Sequence, residues 1–161
     1  MATASTPRPD VPGVLILPRF LYLGFLVAGA GLQVLWPAAL VSTSFPLRVG
    51  LGVAVGLLGA LIALSGRLQL RRAGTEPPPN RPATALVVDG PYRYTRNPLY
   101  LGMTLLYAGI ALGANSAWIL GLLVPLLIVL HYGVIFREEA YLERKFGDAY
   151  RAYKATVRRW L

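Results

Sequence analysis

Long uncharged apolar runs alternate with short polar stretches along this chain. A helix that crosses a membrane needs about 20 mostly apolar residues. Four runs approach that length: 20–36, stopped by Pro37; 47–66, with no charge after Arg48; 99–114; and 117–136, with Pro125 inside it. The pattern predicts an all-α integral membrane protein with about four transmembrane helices. Only Asn115 and Ser116 separate the last two runs, so these two are expected to form a tight antiparallel hairpin.

Charge gives the expected orientation, because basic residues collect on the cytoplasmic side. Arg8 and Arg19 precede the first run. Arg67, Arg71, Arg72, Arg81, Arg93 and Arg96 follow the second, and seven more basic residues follow the fourth. With both termini cytoplasmic, Arg48 is the only basic residue left on the far side. Arginine outnumbers lysine 14 to 2, which hints at a GC-rich genome; the expected placement is the bacterial inner membrane.

Composition narrows the class further. The chain is 55% hydrophobic and 14% charged, with a net charge of +9, whereas soluble domains carry about a quarter charged residues. A nucleic-acid partner is not expected, because the basic residues sit beside apolar runs. There are no cysteines, which excludes disulfides, thiolate metal sites and cysteine nucleophiles. No metal site is expected. Residues 1–13, rich in Pro, Ser, Thr and Ala, read as a disordered leader. Residues 14–161 read as one domain.

Within it, runs 20–36 and 47–66 read as packing spans. Gly52 and Gly56 form a small-xxx-small pair suited to close helix contact. They lack the preceding strand that a nucleotide-binding loop requires.

The chemistry lies in the polar segments flanking the hairpin. Residues 76–82 are a proline-rich connector. Leu86-Val87-Val88 is β-prone and precedes the Gly90-Pro91 turn. Asn97 and Pro98 fit an N-cap and first-turn pair for the third helix. Arg96 then lies beside a helix N-terminus, which favours anions, and is expected to grip a carboxylate or phosphate. The same residues also suit a lipid-facing basic belt with interfacial tyrosines.

After the fourth run comes Arg137-Glu138-Glu139, followed by apolar positions at helical spacing through Leu161. A break is expected at Gly147-Asp148, and the tail reads as a basic amphipathic helix lying in the interface. Adjacent carboxylates at a helix C-terminus oppose its dipole, so Glu138 is expected to face a cation: Arg96, Arg137 or a ligand. His131, the only histidine, lies two turns before Glu138 on the same expected face. It is either a hydrogen-bonding contact between helices or a base near a substrate.

Two blocks together carry a family resemblance. The first is Leu86-Val87-x-x-Gly90-Pro91-Tyr92-Arg93-Tyr94-x-Arg96-Asn97-Pro98-x-Tyr100-x-Gly102. The second is Glu138-Glu139-x-x-Leu142-x-x-x-Phe146-Gly147-x-x-Tyr150-x-x-Tyr153. In this order, across a helix hairpin, they resemble the isoprenylcysteine carboxyl methyltransferase and phospholipid methyltransferase superfamily. The resemblance covers about residues 84–157 and implies a membrane methyltransferase that uses S-adenosylmethionine. Carried over, it puts Leu86, Val87, Gly90, Tyr92, Arg96, Asn97, Pro98, Tyr100, Leu101, Gly102, Glu138 and Glu139 at the cofactor. Arg96 suits its carboxylate and Glu138 its ammonium.

Asn97 stands where many members have His. The tail lacks an Arg-Val-Pro pattern. No basic residue precedes the Glu pair at 134–136, and Arg137 is the nearest substitute. Arg137 and His131 are therefore the candidate catalytic residues. The acceptor implied is lipophilic, such as a prenylcysteine-like carboxylate, with an aminophospholipid or a small thiol as alternatives. The rival reading is a non-enzymatic basic scaffold that binds anionic membrane lipids.

Overall fold

The computed structural model describes residues 10–76 and 82–161. Residues 1–9 of the expected leader and 77–81 of the proline-rich connector lie outside them. The described residues contain helices and no strand. The β-prone Leu86-Val87-Val88 is irregular, because no second strand is present to pair with it.

Helix α1 (Pro18–Leu35) starts on a proline, whose missing N–H costs nothing in a first turn. Helix α2 (Phe45–Arg72) is longer than its apolar run predicts. Its last turn carries Arg71 and Arg72, which complement the helix dipole. A short 3₁₀ turn (Gly90–Arg93) leads to α3 (Pro98–Ala114). The rest of the chain is a bent rod: α4 (Ala117–Gly121), α5 (Leu123–Leu130), a π turn (His131–Ile135) and α6 (Phe136–Phe146). Gly147 (φ 56°) breaks the rod where expected, and α7 (Asp148–Thr156) follows.

Three helices are long and apolar enough to cross a membrane: Pro18–Leu35, Phe45–Arg72 and Ala117–Phe146. The fourth expected span, α3, is apolar but has only 17 residues, about 25 Å of helix. The hairpin between α3 and α4 forms as expected. Asn115 takes the left-handed conformation (φ 53°), and its Oδ1 accepts from Leu40 N and Val41 N, each at 3.0 Å. Ser116 Oγ caps α4 by accepting from Ile119 N at 3.1 Å.

Helices α2 and α3 pack antiparallel along a seam of glycines, but not by the predicted Gly52-x-x-x-Gly56 pair alone. Two turns separate Gly52, Gly59 and Gly66, which keeps them on one face. A Cβ on Gly52 falls 2.7 Å from Gly109 O, and one on Gly59 falls 2.5 Å from Gly102 O. A Cβ on Gly56 meets nothing closer than 3.5 Å; instead its backbone receives Gly109. Further along, Gly66 faces Pro98, the first residue of α3. The seam therefore sets where α3 begins.

Helix α1 packs on α4 and α5 around Leu21, Ile119, Leu126 and Leu130. Tyr22 hydrogen-bonds Thr104 Oγ1 (2.8 Å) and donates to Tyr100 O (3.2 Å). A second cluster of Leu70, Tyr92, Tyr150 and Tyr153 lies at the polar end. The end of the expected leader is tied to α6. Asp10 accepts from Lys145 Nζ (2.6 Å) and Tyr141 OH (3.2 Å), and Gly13 O accepts from Arg137.

Gly59→Ala places a methyl group against backbone that cannot move aside. It is expected to lower stability by about 1–3 kcal/mol. Gly31→Ala, whose Cβ meets nothing within 4 Å, is expected to change it by less than about 0.5 kcal/mol. Thermal unfolding in detergent checks both.

Candidate functional site

Three short pieces of chain converge at the polar end of the bundle. The first runs from Ala83 to the start of α3. Ala83 N donates to Tyr141 OH (3.0 Å). Gly90 takes a positive φ of 64° and starts the 3₁₀ turn, which buries Tyr92. Tyr153 OH donates to Tyr92 O at 2.7 Å, locking the turn onto α7.

Asn97 stands at the N-cap position, and Pro98 opens the helix as predicted. The Asn97 side chain, however, makes no cap bond. Its Nδ2 donates instead to Arg159 O at 3.0 Å. That carbonyl also accepts from Thr95 Oγ1 (3.1 Å), and Arg158 O accepts from Arg96 N (3.0 Å). The tail therefore lies across the start of α3 and draws the asparagine out of its capping role.

The second piece is α6. The rod runs on past Phe136, so Glu138 and Glu139 are not at a helix C-terminus. Both are buried, at 6% and 5% exposure. Glu138 Oε1 accepts from Tyr100 OH at 2.7 Å. Among the described residues no arginine or lysine forms an ion pair with it. The cations go to Glu139: Oε1 accepts from Arg159 Nε (2.9 Å) and Oε2 from Arg159 Nη2 (2.7 Å). Arg96 Nη1 stands 3.3 Å from Glu139 Oε1. That contact is not aligned as a hydrogen bond, and Arg96 Nε and Nη1 are both buried without one. The expectation that Arg96 or Arg137 meets Glu138 is thus corrected.

The third piece is the tail, which lines the site through Tyr150 and Tyr153 of α7 and holds Glu139 through Arg159. These pieces enclose a cavity lined by Leu86, Val87, Tyr92, Arg96, Asn97, Pro98, Tyr100, Glu138 and Glu139, all expected there. Leu70, Thr75, Leu99, Leu142, Tyr150 and Tyr153 also line it. Burial pushes the Tyr150 phenol up to about 12, and those of Tyr92 and Tyr153 are also raised by burial. These rings stay protonated near neutral pH.

Gly90, Leu101 and Gly102 do not line the cavity. Gly90 faces Gln69, while Gly102 belongs to the seam with Gly59 and Ala63. Arg137 is exposed and bonds Gly13 O at 3.1 Å. His131 lines a separate apolar groove with Val124, Leu127, Ile128, Tyr132 and Trp160. The π turn after His131 adds width to the helix and shifts its register. His131 and Glu138 therefore do not share a site. Arg159 Nη1 lies 3.2 Å from His131 Nε2. Arginine only donates, so Nε2 accepts and the ring proton sits on Nδ1. The cluster missed by sequence reasoning is Arg159 with Tyr150 and Tyr153. The second block carried both tyrosines without a role, and the signal for Arg159 was two adjacent carboxylates in need of a cation.

A model of the family described as phospholipid methyltransferase matches residues 47–149, well over half of the chain. The chain belongs to the phospholipid methyltransferase family. This is a family of membrane methyltransferases that generally use S-adenosylmethionine, in keeping with the membrane-length helices. A Haemophilus influenzae protein described only as uncharacterized is 45% identical over 65 residues, which is 39% of this chain and 100% of that protein. No solved structure matches. The family match spans the glycine seam, the cavity wall and both glutamates, and ends just short of Tyr150. No three His, Cys, Asp or Glu side chains among the described residues are grouped to hold a metal ion.

Tyr100→Phe removes the one side chain among the described residues that bonds Glu138 and leaves the carboxyl group buried. A loss of about 1–3 kcal/mol in the stability of the ligand-free protein is expected, measured by thermal unfolding beside the wild type.

Proposed function

We propose that this chain is an integral membrane methyltransferase that binds S-adenosylmethionine in the cavity between α3, α6 and the tail. The observation that carries the reading is the pairing of charges there. Glu138 is a buried carboxylate with no basic partner among the described residues. Arg96 is a guanidinium with two buried nitrogens that make no hydrogen bond, and its neighbouring carboxylate, Glu139 at 3.3 Å, is already held by Arg159. Buried charges of this kind call for partners. The ammonium and carboxylate of the cofactor's amino-acid end supply one of each sign. Leu86, Val87, Leu142 and Tyr92 offer an apolar and aromatic wall for its adenosine. The cofactor, when bound, brings an electrophilic methyl group on a sulfonium sulfur. The residues of the chain orient it and keep water away.

The acceptor is proposed to be lipophilic and to need no proton removed, as a prenylcysteine-like carboxylate or a thiolate would. Two observations support this. His131 Nε2 already accepts from Arg159, and both Glu139 oxygens are engaged by the same guanidinium. His131, the expected base, therefore has its Nε2 lone pair engaged, and Glu139 is held in an ion pair. The family description favours the second reading, an aminophospholipid headgroup, which requires a base. Arg137, exposed and bonded to Gly13, has no part in this proposal.

The proposed placement is the bacterial inner membrane, with four crossings that count the short α3. The cavity then faces the cytoplasm beside Arg67, Arg71, Arg72 and Arg93.

Titration of the detergent-purified protein with S-adenosylhomocysteine tests the cofactor site. Saturable binding is expected. Glu138→Ala and Arg96→Ala are each expected to weaken it by about 1.5–3 kcal/mol. No binding to protein shown to be folded would move the reading to a basic lipid-binding scaffold. Methyl transfer from labelled S-adenosylmethionine to a prenylcysteine analogue, a thiol and phosphatidylethanolamine vesicles then separates the acceptors.

A further inference from the structure

Two arginines approach Glu139, and they do not share it equally. Arg159 takes both oxygens, in the two-pronged geometry that makes arginine–carboxylate pairs strong and directional. Its backbone carbonyl is held by Thr95 and Asn97, on either side of Arg96, and its Nη1 reaches His131. The guanidinium is therefore fixed from several sides. Arg96 is left 3.3 Å from one Glu139 oxygen with no hydrogen bond from Nε or Nη1.

We propose that Arg159 is a positioning residue that occupies Glu139 and so keeps Arg96 free to bind the carboxylate end of the ligand. The inference rests on the proposed cofactor site. Without Arg159, the nearest cation to Glu139 is Arg96. Their 3.3 Å ion pair then tightens into an aligned, hydrogen-bonded one, and Arg96 is withdrawn from the ligand. The effect is confined to the amino-acid end of the ligand, because the adenosine wall is built from other residues, Leu86, Val87, Tyr92 and Leu142.

Two probes separate this role from a general structural one. S-Adenosylhomocysteine carries the amino-acid end, and 5′-methylthioadenosine lacks it. Both are titrated into the full-length protein in detergent. Arg159→Ala is expected to weaken S-adenosylhomocysteine about tenfold or more, the scale of a charged hydrogen bond, and to change methylthioadenosine by less than about threefold. Adding Glu139→Gln to that variant removes the charge that captures Arg96, and S-adenosylhomocysteine affinity is expected to rise at least about threefold above that of Arg159→Ala alone. Equal loss of both ligands, no loss of either, or no recovery in the double variant would overturn the proposal.

Arg159→Lys keeps the tail's charge but leaves one Glu139 oxygen open to Arg96. It is expected to show the same selective loss to a smaller degree. If Arg159→Ala does not fold, an unchanged ratio of the two affinities in Arg159→Lys overturns the proposal by itself. Wild-type protein that binds neither probe overturns the cofactor site as well. Wild type that binds S-adenosylhomocysteine, with an unselective Arg159→Ala, overturns only the role of Arg159.

Discussion

Glu138 and Glu139 are neighbours on α6, both are buried, and their side chains reach different partners. Two carboxylates side by side away from water repel each other and lose hydration, so neither persists there uncompensated. Much of the polar half is arranged around that constraint. Arg159 comes from the tail, Arg96 from the loop before α3 and Tyr100 from the first turn of α3. Each must arrive within hydrogen-bond or ion-pair distance of a rigid α6. The tail is held by Arg96 N, Thr95 and Asn97 for the same reason. A loosely held arginine is a poor partner for a buried acid.

The glycine seam serves this arrangement from a distance. Gly52, Gly59 and Gly66 bring α2 against α3 at backbone contact, and the last of them abuts Pro98. The axial position of α3 is thereby fixed, and with it the reach of Tyr100 toward Glu138. Lipid offers little apolar driving force between helices, so such close backbone packing is what sets register within a bilayer. The π turn acts on the other side of the site. It separates the facing direction of α5, which packs on α1, from that of α6, which presents the carboxylates.

Much of this was legible in the sequence. The apolar runs gave the helices, Asn115-Ser116 the hairpin, and Gly147 the break before α7, because each rests on local chemistry. Tyr92, Arg96, Tyr100 and the glutamates were legible as one site because two spaced blocks carried them. The partner of each carboxylate was not. Pairing of Arg159 with Glu139 depends on how the tail folds back, and no local periodicity encodes that. The expected face shared by His131 and Glu138 assumed an unbroken α-helix, and a wide turn of five residues undid it. Asn97 had the right residue type for a cap, but a tertiary carbonyl outcompeted the local N–H groups.

The charge balance of the site bears on what enters it. Glu138, Glu139, Arg96 and Arg159 are two carboxyl groups and two guanidinium groups, and the two-pronged pair of Arg159 with Glu139 is already closed. What remains is one carboxyl group, Glu138, bonded by Tyr100, and one guanidinium, Arg96, which stands 3.3 Å from a Glu139 oxygen with Nε and Nη1 unbonded. A ligand end bearing a single charge would satisfy one of them and leave the other buried and unmet. A zwitterionic end meets both and leaves the net charge of the low-dielectric site unchanged, which keeps the desolvation cost of binding compensated on each side. The proposed amino-acid end of the cofactor has that form. A purely anionic phosphate at Arg96 does not, because, with no ammonium beside it, it would set a further negative charge next to Glu138 and Glu139.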